Sequence, residues 1–421
     1  MKKKILFIVL LLNFSGVLAQ DTFKTMFYNL LNFPLQEPAS ARLNELETIL
    51  TDFKPDLFMV CELNNSSGAN GILSMMQQAI NTNYQMANFV LNTSDDSIGN
   101  QNDLQNLIYY DSSKFTLESQ TEVSTLFRDF NHYVLKLNTV NQITNPILLN
   151  VIVCHLKASS GTNNQQLRLQ MAQDLTSYLN GFSNSEYFLL AGDFNVYTNS
   201  EPAFQEFIDT NNNITFIDPA NRMGSWHNNS NYVDVFTQST RTSTGLGGTT
   251  GGFDDRFDFI MTSTSLENNA ELQFVPNSYQ VFGNNSNPNC WNSAINSIDC
   301  SGTLFSQAIR ESLHNFSDHL PVTLTIETNQ NFLSVPEVSY VQPTFEIVGT
   351  NMVSTTLDIT LNKQPTFTTN INIYNTLGQM VTSISVSDKT ITVDISYLSE
   401  GIYYISLPNV NVQPLKFVKV N

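Results

Sequence analysis

Apolar and polar positions change period repeatedly along this chain, and those changes divide it into segments. The first 19 residues carry Lys2, Lys3 and Lys4, an apolar run from Ile5 to Leu12, and Val17-Leu18-Ala19 ahead of Gln20. That order reads as a secretory signal peptide; its apolar run is too short to span a bilayer. From Asp21 to Thr328, strand-like runs alternate with helical periodicities. Phe23–Leu31, Asp56–Cys61, Leu107–Tyr110, His132–Leu137, Ile147–Cys154, Tyr187–Ala191, Arg256–Thr262 and Pro321–Ile326 read as strands. Leu43, Leu46, Ile49, Leu50 and Phe53 follow helical spacing over Ala41–Phe53, and Leu167, Met171, Leu175 and Leu179 mark a second helix ending near Gly181. Such mixing over about 300 residues predicts a single large α/β domain.

Two segments read as loops. Thr240–Gly252 is rich in Gly and Thr and is expected to be mobile, whereas Gly283–Gly302 is rich in Asn and holds Cys290 and Cys300. Outside the cell these two cysteines are expected to pair; Cys61 and Cys154 fall inside strand patterns and read as buried thiols. Beyond Thr328 the texture changes. Residues 329–348 are punctuated by proline and read as a linker. Residues 349–421 carry short alternating strands at Thr356–Leu361, Thr369–Tyr374, Thr390–Ile395 and Gly401–Leu407, the pattern of a small β-sandwich.

The length of 421 residues suits two or three domains, and 41% hydrophobic residues suffice for a large core. Charge narrows the partners: 37 acidic against 19 basic residues give −18, which argues against a broad basic face that holds nucleic acid tightly. It does not argue against an enzyme that touches nucleic acid briefly. No other apolar stretch reaches membrane length, so the mature protein is expected to be soluble and exported; a monomer is expected.

Candidate chemistry gathers where apolar strands end. Asn29 sits in Met26-Phe27-Tyr28-Asn29-Leu30, and Glu62 closes Leu57–Cys61. His155 closes Val151–Cys154, and Asp193 and Asn195 follow Phe188–Gly192. Asp258 lies in Arg256-Phe257-Asp258-Phe259, and Asp318-His319 precedes Leu320-Pro321. Singly, each is accounted for by an Asx-turn, a cap or a satisfied core histidine. Together, in order and all at strand termini, they exceed what turn chemistry supplies. Carboxylates and amides offer hard oxygen ligands, and no Cys/His spacing suggests zinc.

These motifs, from Phe23 to Ile326, resemble the endonuclease/exonuclease/phosphatase superfamily. The resemblance implies a four-layered α/β sandwich, two packed mixed sheets flanked by helices, and a divalent metal, Mg²⁺ or Mn²⁺. Carried over residue by residue, it implies that Asn29, Glu62 and Asp318 serve the metal, with Asp318 alternatively biasing the attacking water. Asp193 orients or deprotonates that water, and Asn195 bonds a phosphoryl oxygen. Asp258 fixes the tautomer of His319, and His155 donates to a phosphoryl oxygen or protonates the leaving group. Arg128 matches a phosphate-contacting arginine of the deoxyribonuclease branch. Lys157 and Arg168, in His155–Gln170, resemble a secreted bacterial nuclease pattern and are expected to supply local positive charge. The sequence departs from that branch at Asn102–Asn106, which lacks a Tyr and a Glu, so that His155 either takes Asp103 as its orienting carboxylate or has none. Asn64 stands where the branch has an arginine. The implied activity is metal-assisted hydrolysis of a phosphodiester in DNA or RNA, with a phosphatase or lipid phosphodiesterase as the alternative.

The last 75 residues or so, through Ile373–Gln379, Asp394–Tyr404 and Lys416–Val420, resemble the C-terminal sorting domain of the type IX secretion system. That resemblance implies release to the cell surface or medium through the type IX machinery.

Overall fold

In the computed structural model, residues 21–35, 39–94, 104–333, 345–361, 369–406 and 414–421 are described. The expected signal peptide and Asp103 lie outside them. The chain divides into one unit ending at Leu333 and a second beginning at Ser334.

The first unit is built on two mixed sheets. Its elements in chain order are β1 (Asp21–Phe33), α1 (Ala39–Phe53), β2 (Leu57–Leu63), α2 (Ser66–Ala79), β3 (Tyr84–Met86), β4 (Gln105–Asp111), β5 (Phe115–Val123), β6 (Phe130–Leu137) and β7 (Leu148–His155). They continue with α3 (Thr162–Leu179), β8 (Tyr187–Asp193), α4 (Pro202–Phe207), β9 (Phe216–Ile217), β10 (Asp258–Ser263), β11 (Leu272–Phe274), β12 (Gln280–Val281), α5 (Gln307–Phe316) and β13 (Val322–Thr328). One sheet runs β11-β13-β1-β2-β4-β3, with β12 beside β13, and the other runs β5-β6-β7-β8-β10-β9. Among the described residues of these two sheets, only the β1–β2 and β7–β8 pairs are parallel.

The sheets pack face to face, and helices cover their outer faces. Tyr28 and Phe33 meet Phe316 of α5, whose neighbour α1 adds Arg42 over the same ring. On the other side, His132 of β6 bonds Tyr178 of α3, and Phe182 packs against Phe188. Strands covered on both faces read as near-continuous apolar runs, which explains the buried Leu57–Cys61 and Val151–Cys154. The result is a four-layered α/β sandwich.

Periodicity alone did not reveal α2 and α5. In α2 the pattern is diluted by Gly68, Asn70 and Gly71, and the helix is set by Asn65, whose side chain caps the Gly68 N–H, and by Ile72, Met75 and Met76 buried on one face. Helix α5 is capped by Ser306 and buries Ile309, Leu313 and Phe316, a short i, i+4, i+7 stripe beside the Asn-rich loop. The loop Thr240–Gly252, expected to be mobile, is tied down by the buried Arg241 guanidinium, which donates to the carbonyls of Gly247, Leu246, His314 and Asn315. The Asn-rich loop is closed by a disulfide between Cys290 and Cys300, with Cα atoms 4.4 Å apart, whereas Cys61 and Cys154 are buried thiols.

The second unit has its own small core, which includes Phe345, Leu357, Ile359, Ile371, Ile373, Ile405 and Phe417. Its strands form a three-stranded and a five-stranded sheet. Phe345–Ile347, read in the sequence as linker, is a strand paired with Thr356–Leu361. Met380–Val386 is a further strand, paired with Thr369–Asn375 across the turn that Gly378 makes at φ +74°.

Candidate active site

The strand register assembles the site. In the second sheet His155 lies beside Asp193, and Asp193 lies opposite Asp258, so three functional side chains leave neighbouring strand ends. Gly192 permits this closeness: a Cβ there would sit 2.4 Å from the Cys154 carbonyl oxygen. In the first sheet Asn29 pairs with Cys61, and the register then shifts before Phe33. Leu31, Asn32 and Glu62 take φ values of +46°, +51° and +55°, a left-handed turn of the backbone that swings Glu62 toward the second sheet.

Asn29 joins the two sheets. Its Nδ2 donates to Glu62 Oε1 and Asp193 Oδ2, each at 3.0 Å, while its Oδ1 accepts the Leu31 N–H at 3.0 Å. Expected to serve the metal, Asn29 accepts one backbone N–H at Oδ1, which leaves a second lone pair, and its Nδ2 orients the two carboxylates. Glu62 also accepts the Asn32 N–H at 3.1 Å. Burial, and next the nearby Asp318, raises the Glu62 pKa. Burial, more than the neighbouring Asp258 and Glu62, pushes Asp193 up to about 7 against the pull of His319 and the Asn195 N–H. Oxygens of Glu62 and Asp193 and a ring nitrogen of His155 lie within 4.8 Å of one another. Crowded carboxylates that resist ionisation together fit a divalent cation, and Glu62 and Asp193 are the residues that would hold it.

His319 Nδ1 lies 2.7 Å from Asp258 Oδ2, both buried, and its Nε2 lies 3.7 Å from Asp193 Oδ2. Thr237 Oγ1 accepts the Asp258 backbone N–H, which holds the main chain there, while Asp258 Oδ1 is buried without a hydrogen-bond partner among the described residues. Burial alone would lower the His319 pKa, but Asp258, Asp318 and Asp193 outweigh it and raise it well above the ordinary value. His155 goes the other way: burial first, then Arg128, His319 and Lys157, hold it well below, so its ring is uncharged at neutral pH. Its Nδ1 is buried without a hydrogen-bond partner among the described residues. Asp318, the other expected metal residue, has Oδ2 engaged by the Thr249 N–H at 2.6 Å and by Gln238 at 3.3 Å, while its buried Oδ1 has no partner among the described residues. Gly248, at φ +72°, lies so close that a Cβ would stand 2.6 Å from Asp318 Cγ. Asn195, at φ +51°, donates to the Leu156 carbonyl at 3.4 Å.

The three expected phosphate-binding cations differ in setting. Arg168 is fully buried, with Nε and Nη2 on Glu201 and Nη1 on the carbonyls of Lys157 and Ser159. It fastens the segment after His155 to α3. Arg128, also buried, donates to the carbonyls of His155 and Leu156. Lys157 donates to the Ala158 carbonyl and lies over the Phe127 ring. Among the described residues no Lys or Arg lines the cleft of about 690 Å³ above the carboxylates.

Sequence reasoning missed Gln238, Tyr197, His227 and Asp255, which also line that cleft. Gln238 touches His319 Nε2 at 2.6 Å, and His227 Nδ1 lies 2.6 Å from Asp255 Oδ1. Burial, ahead of the opposing pull of His227, pushes Asp255 up to about 6. Asp255 lies three residues before Asp258, a position from which it was legible as a neighbour of a functional strand; His227 and Gln238 sit in irregular segments and carried no such signal.

The model of the Endonuclease/Exonuclease/phosphatase family matches residues 26–319. The chain belongs to the Endonuclease/Exonuclease/phosphatase family. Members of this family are phosphoric ester hydrolases and are generally dependent on a divalent metal. A secretion system C-terminal sorting domain of the type IX kind matches residues 351–420, which indicates export through that system. Among solved structures, the human Nocturnin catalytic domain is 14% identical, covering 73% of this chain and 97% of that one at a TM-score of 0.46. An endonuclease/exonuclease/phosphatase from Bacteroides vulgatus is 12% identical, covering 73% and 99% at 0.46. A mannosyl-6-phosphatase from Bacteroides thetaiotaomicron is 15% identical, covering 72% and 99% at 0.43. No curated protein matches the chain.

Proposed function

We propose that this family member is an exported, divalent-metal-dependent phosphoester hydrolase. The observation that carries the reading is the convergence of Asn29, Glu62, His155, Asp193 and the Asp258–His319 pair on one edge of two sheets. A cation bound by Glu62 and Asp193, Mg²⁺ or Mn²⁺, would polarise the phosphoryl oxygen. The chain's own groups do the rest. Asp193, within 4.8 Å of Glu62 and His155, orients the attacking water. His319, kept charged and oriented by Asp258, would donate from Nε2 to the phosphoryl group in place of its contact with Gln238. Asn195 donates to a phosphoryl oxygen. His155, uncharged, donates a hydrogen bond there in preference to acting as a strong acid.

Between the two substrate classes, the cleft favours a small phosphoester over a nucleic-acid strand. Neutralising successive phosphates requires Lys or Arg, and Arg128 and Arg168 are committed to carbonyls and to Glu201. The nuclease reading retains the support of the His155–Gln170 resemblance. Incubating the mature chain with bis(p-nitrophenyl) phosphate and p-nitrophenyl phosphate, with Mg²⁺, Mn²⁺ or chelator, tests the reaction class. Hydrolysis that requires metal is expected; no hydrolysis of either probe, or full activity in excess chelator, would sink it.

A further inference from the structure

The wall of the cleft formed by Tyr197, His227 and Asp255 has no part in the reaction just described. His227 is half exposed, and an exposed histidine beside a carboxylate is ordinarily a surface ion pair of small worth. Here the setting is different. The His227 N–H donates to the Tyr197 carbonyl at 3.2 Å. On one side Trp226 is fully buried, with its indole N–H on the Val196 carbonyl; on the other the Asn228 N–H bonds the Asp254 carbonyl. The main chain at His227 is therefore held on both sides, and its imidazole is positioned by Asp255 and the Tyr197 ring. Asp255 is itself buried, and among the described residues its carboxylate has His227 as its sole hydrogen-bond partner. Burying a carboxylate costs stability, and a surface pair needs no such burial. Tyr197 sets its ring edge-on to His227 at 4.9 Å and to Phe257 at 5.0 Å, so one wall of the cleft is an aromatic surface ending in a His–Asp pair.

The chemistry of that wall selects a ligand. Its polar tips can both donate to and accept from a hydroxyl, and its rings present an apolar face. A second phosphate would meet Asp255 and, across the cleft, Glu62, Asp193 and Asp318, with no Lys or Arg among the described lining residues to offset them. We infer that Tyr197, His227 and Asp255 form a specificity subsite for a neutral, hydroxyl-bearing group esterified to the scissile phosphate, so that the substrate is a sugar- or polyol-like alcohol carrying a single phosphate. His227 contacts the alcohol; Asp255 is a positioning residue that acts through it. This inference rests on the phosphoester hydrolase reading and deepens it.

The test compares glucose 6-phosphate with hexyl phosphate, which has the same charge and similar length but no further hydroxyls. Phosphate release is followed with the full mature chain and the two variants His227→Ala and Asp255→Asn. Bis(p-nitrophenyl) phosphate reports the underlying chemistry, and plasmid DNA serves as the polyanion. The wild type is expected to prefer glucose 6-phosphate in kcat/KM by about tenfold or more, the effect of one or two hydrogen bonds. In both variants that ratio is expected to fall toward one, chiefly through KM for the sugar phosphate. A wild-type ratio near one, a ratio unmoved by His227→Ala, or plasmid DNA cleaved with a higher kcat/KM than glucose 6-phosphate overturns the subsite. Hydrolysis of bis(p-nitrophenyl) phosphate alongside any of these leaves the phosphoester reading standing. Failure on every probe removes both.

Discussion

Replacing Asp258 with Asn is the sharpest perturbation of the catalytic edge. The two side chains are nearly isosteric, and the Thr237 hydroxyl that fixes the backbone N–H of residue 258 is untouched. What changes is a charge-assisted hydrogen bond of 2.7 Å to His319 Nδ1 between two fully buried groups. Such a bond contributes about 1.5–3 kcal/mol more than water would return. If that difference falls on the transition state, it corresponds to a loss of about 10- to 150-fold in kcat, at roughly 1.4 kcal/mol per tenfold. KM should change little, because the imidazolium is needed most where phosphoryl charge develops. The assay is steady-state hydrolysis of bis(p-nitrophenyl) phosphate by the wild type, Asp258→Asn, His319→Ala and the double variant. Since Asp258 is argued to act through His319, the double variant should be no slower than His319→Ala alone. An Asp258→Asn enzyme within twofold of wild type, or losses that multiply in the double variant, would refute the pair.

Three further outcomes are expected. Excess chelator should abolish hydrolysis and Mg²⁺ or Mn²⁺ should restore it, while Glu62→Gln should raise the metal concentration needed for half-maximal activity; an unchanged metal titration would remove Glu62 from the site. Arg168→Ala should destabilise the first unit by about 3–5 kcal/mol, because it strands the buried Glu201 carboxylate, and calorimetry showing an unchanged melting temperature with weakened DNA binding would restore the phosphate-binding role. A chain ending at Leu333 should keep its activity, since every residue of the cleft precedes that point, but should stay in the periplasm; normal release of the truncated protein would count against the sorting role of residues 351–420.

What the sequence determined by itself was set by local period and by order. Strands covered on both faces are almost wholly apolar, so Leu57–Cys61 and Val151–Cys154 announced themselves, and the polar residue that closes each announced the edge carrying the chemistry. Asn29, Glu62, His155, Asp193, Asp258 and His319 were legible because strand ends are short-range features. Tertiary structure decided what each polar group faces, since a side chain's partner is set by contacts far along the chain. Arg168 reads as a free cation, yet Glu201, 33 residues away, occupies it. Asn29 reads as a ligand, yet its oxygen closes a turn and its nitrogen holds two carboxylates from different sheets. Gln238, His227 and Asp255 lie in segments without period, and only the packing of Trp226 and the pairing of Gln238 with both Asp255 and His319 bring them to the cleft. Periodicity records which face of an element is buried; it holds no record of which distant residue lies across from it.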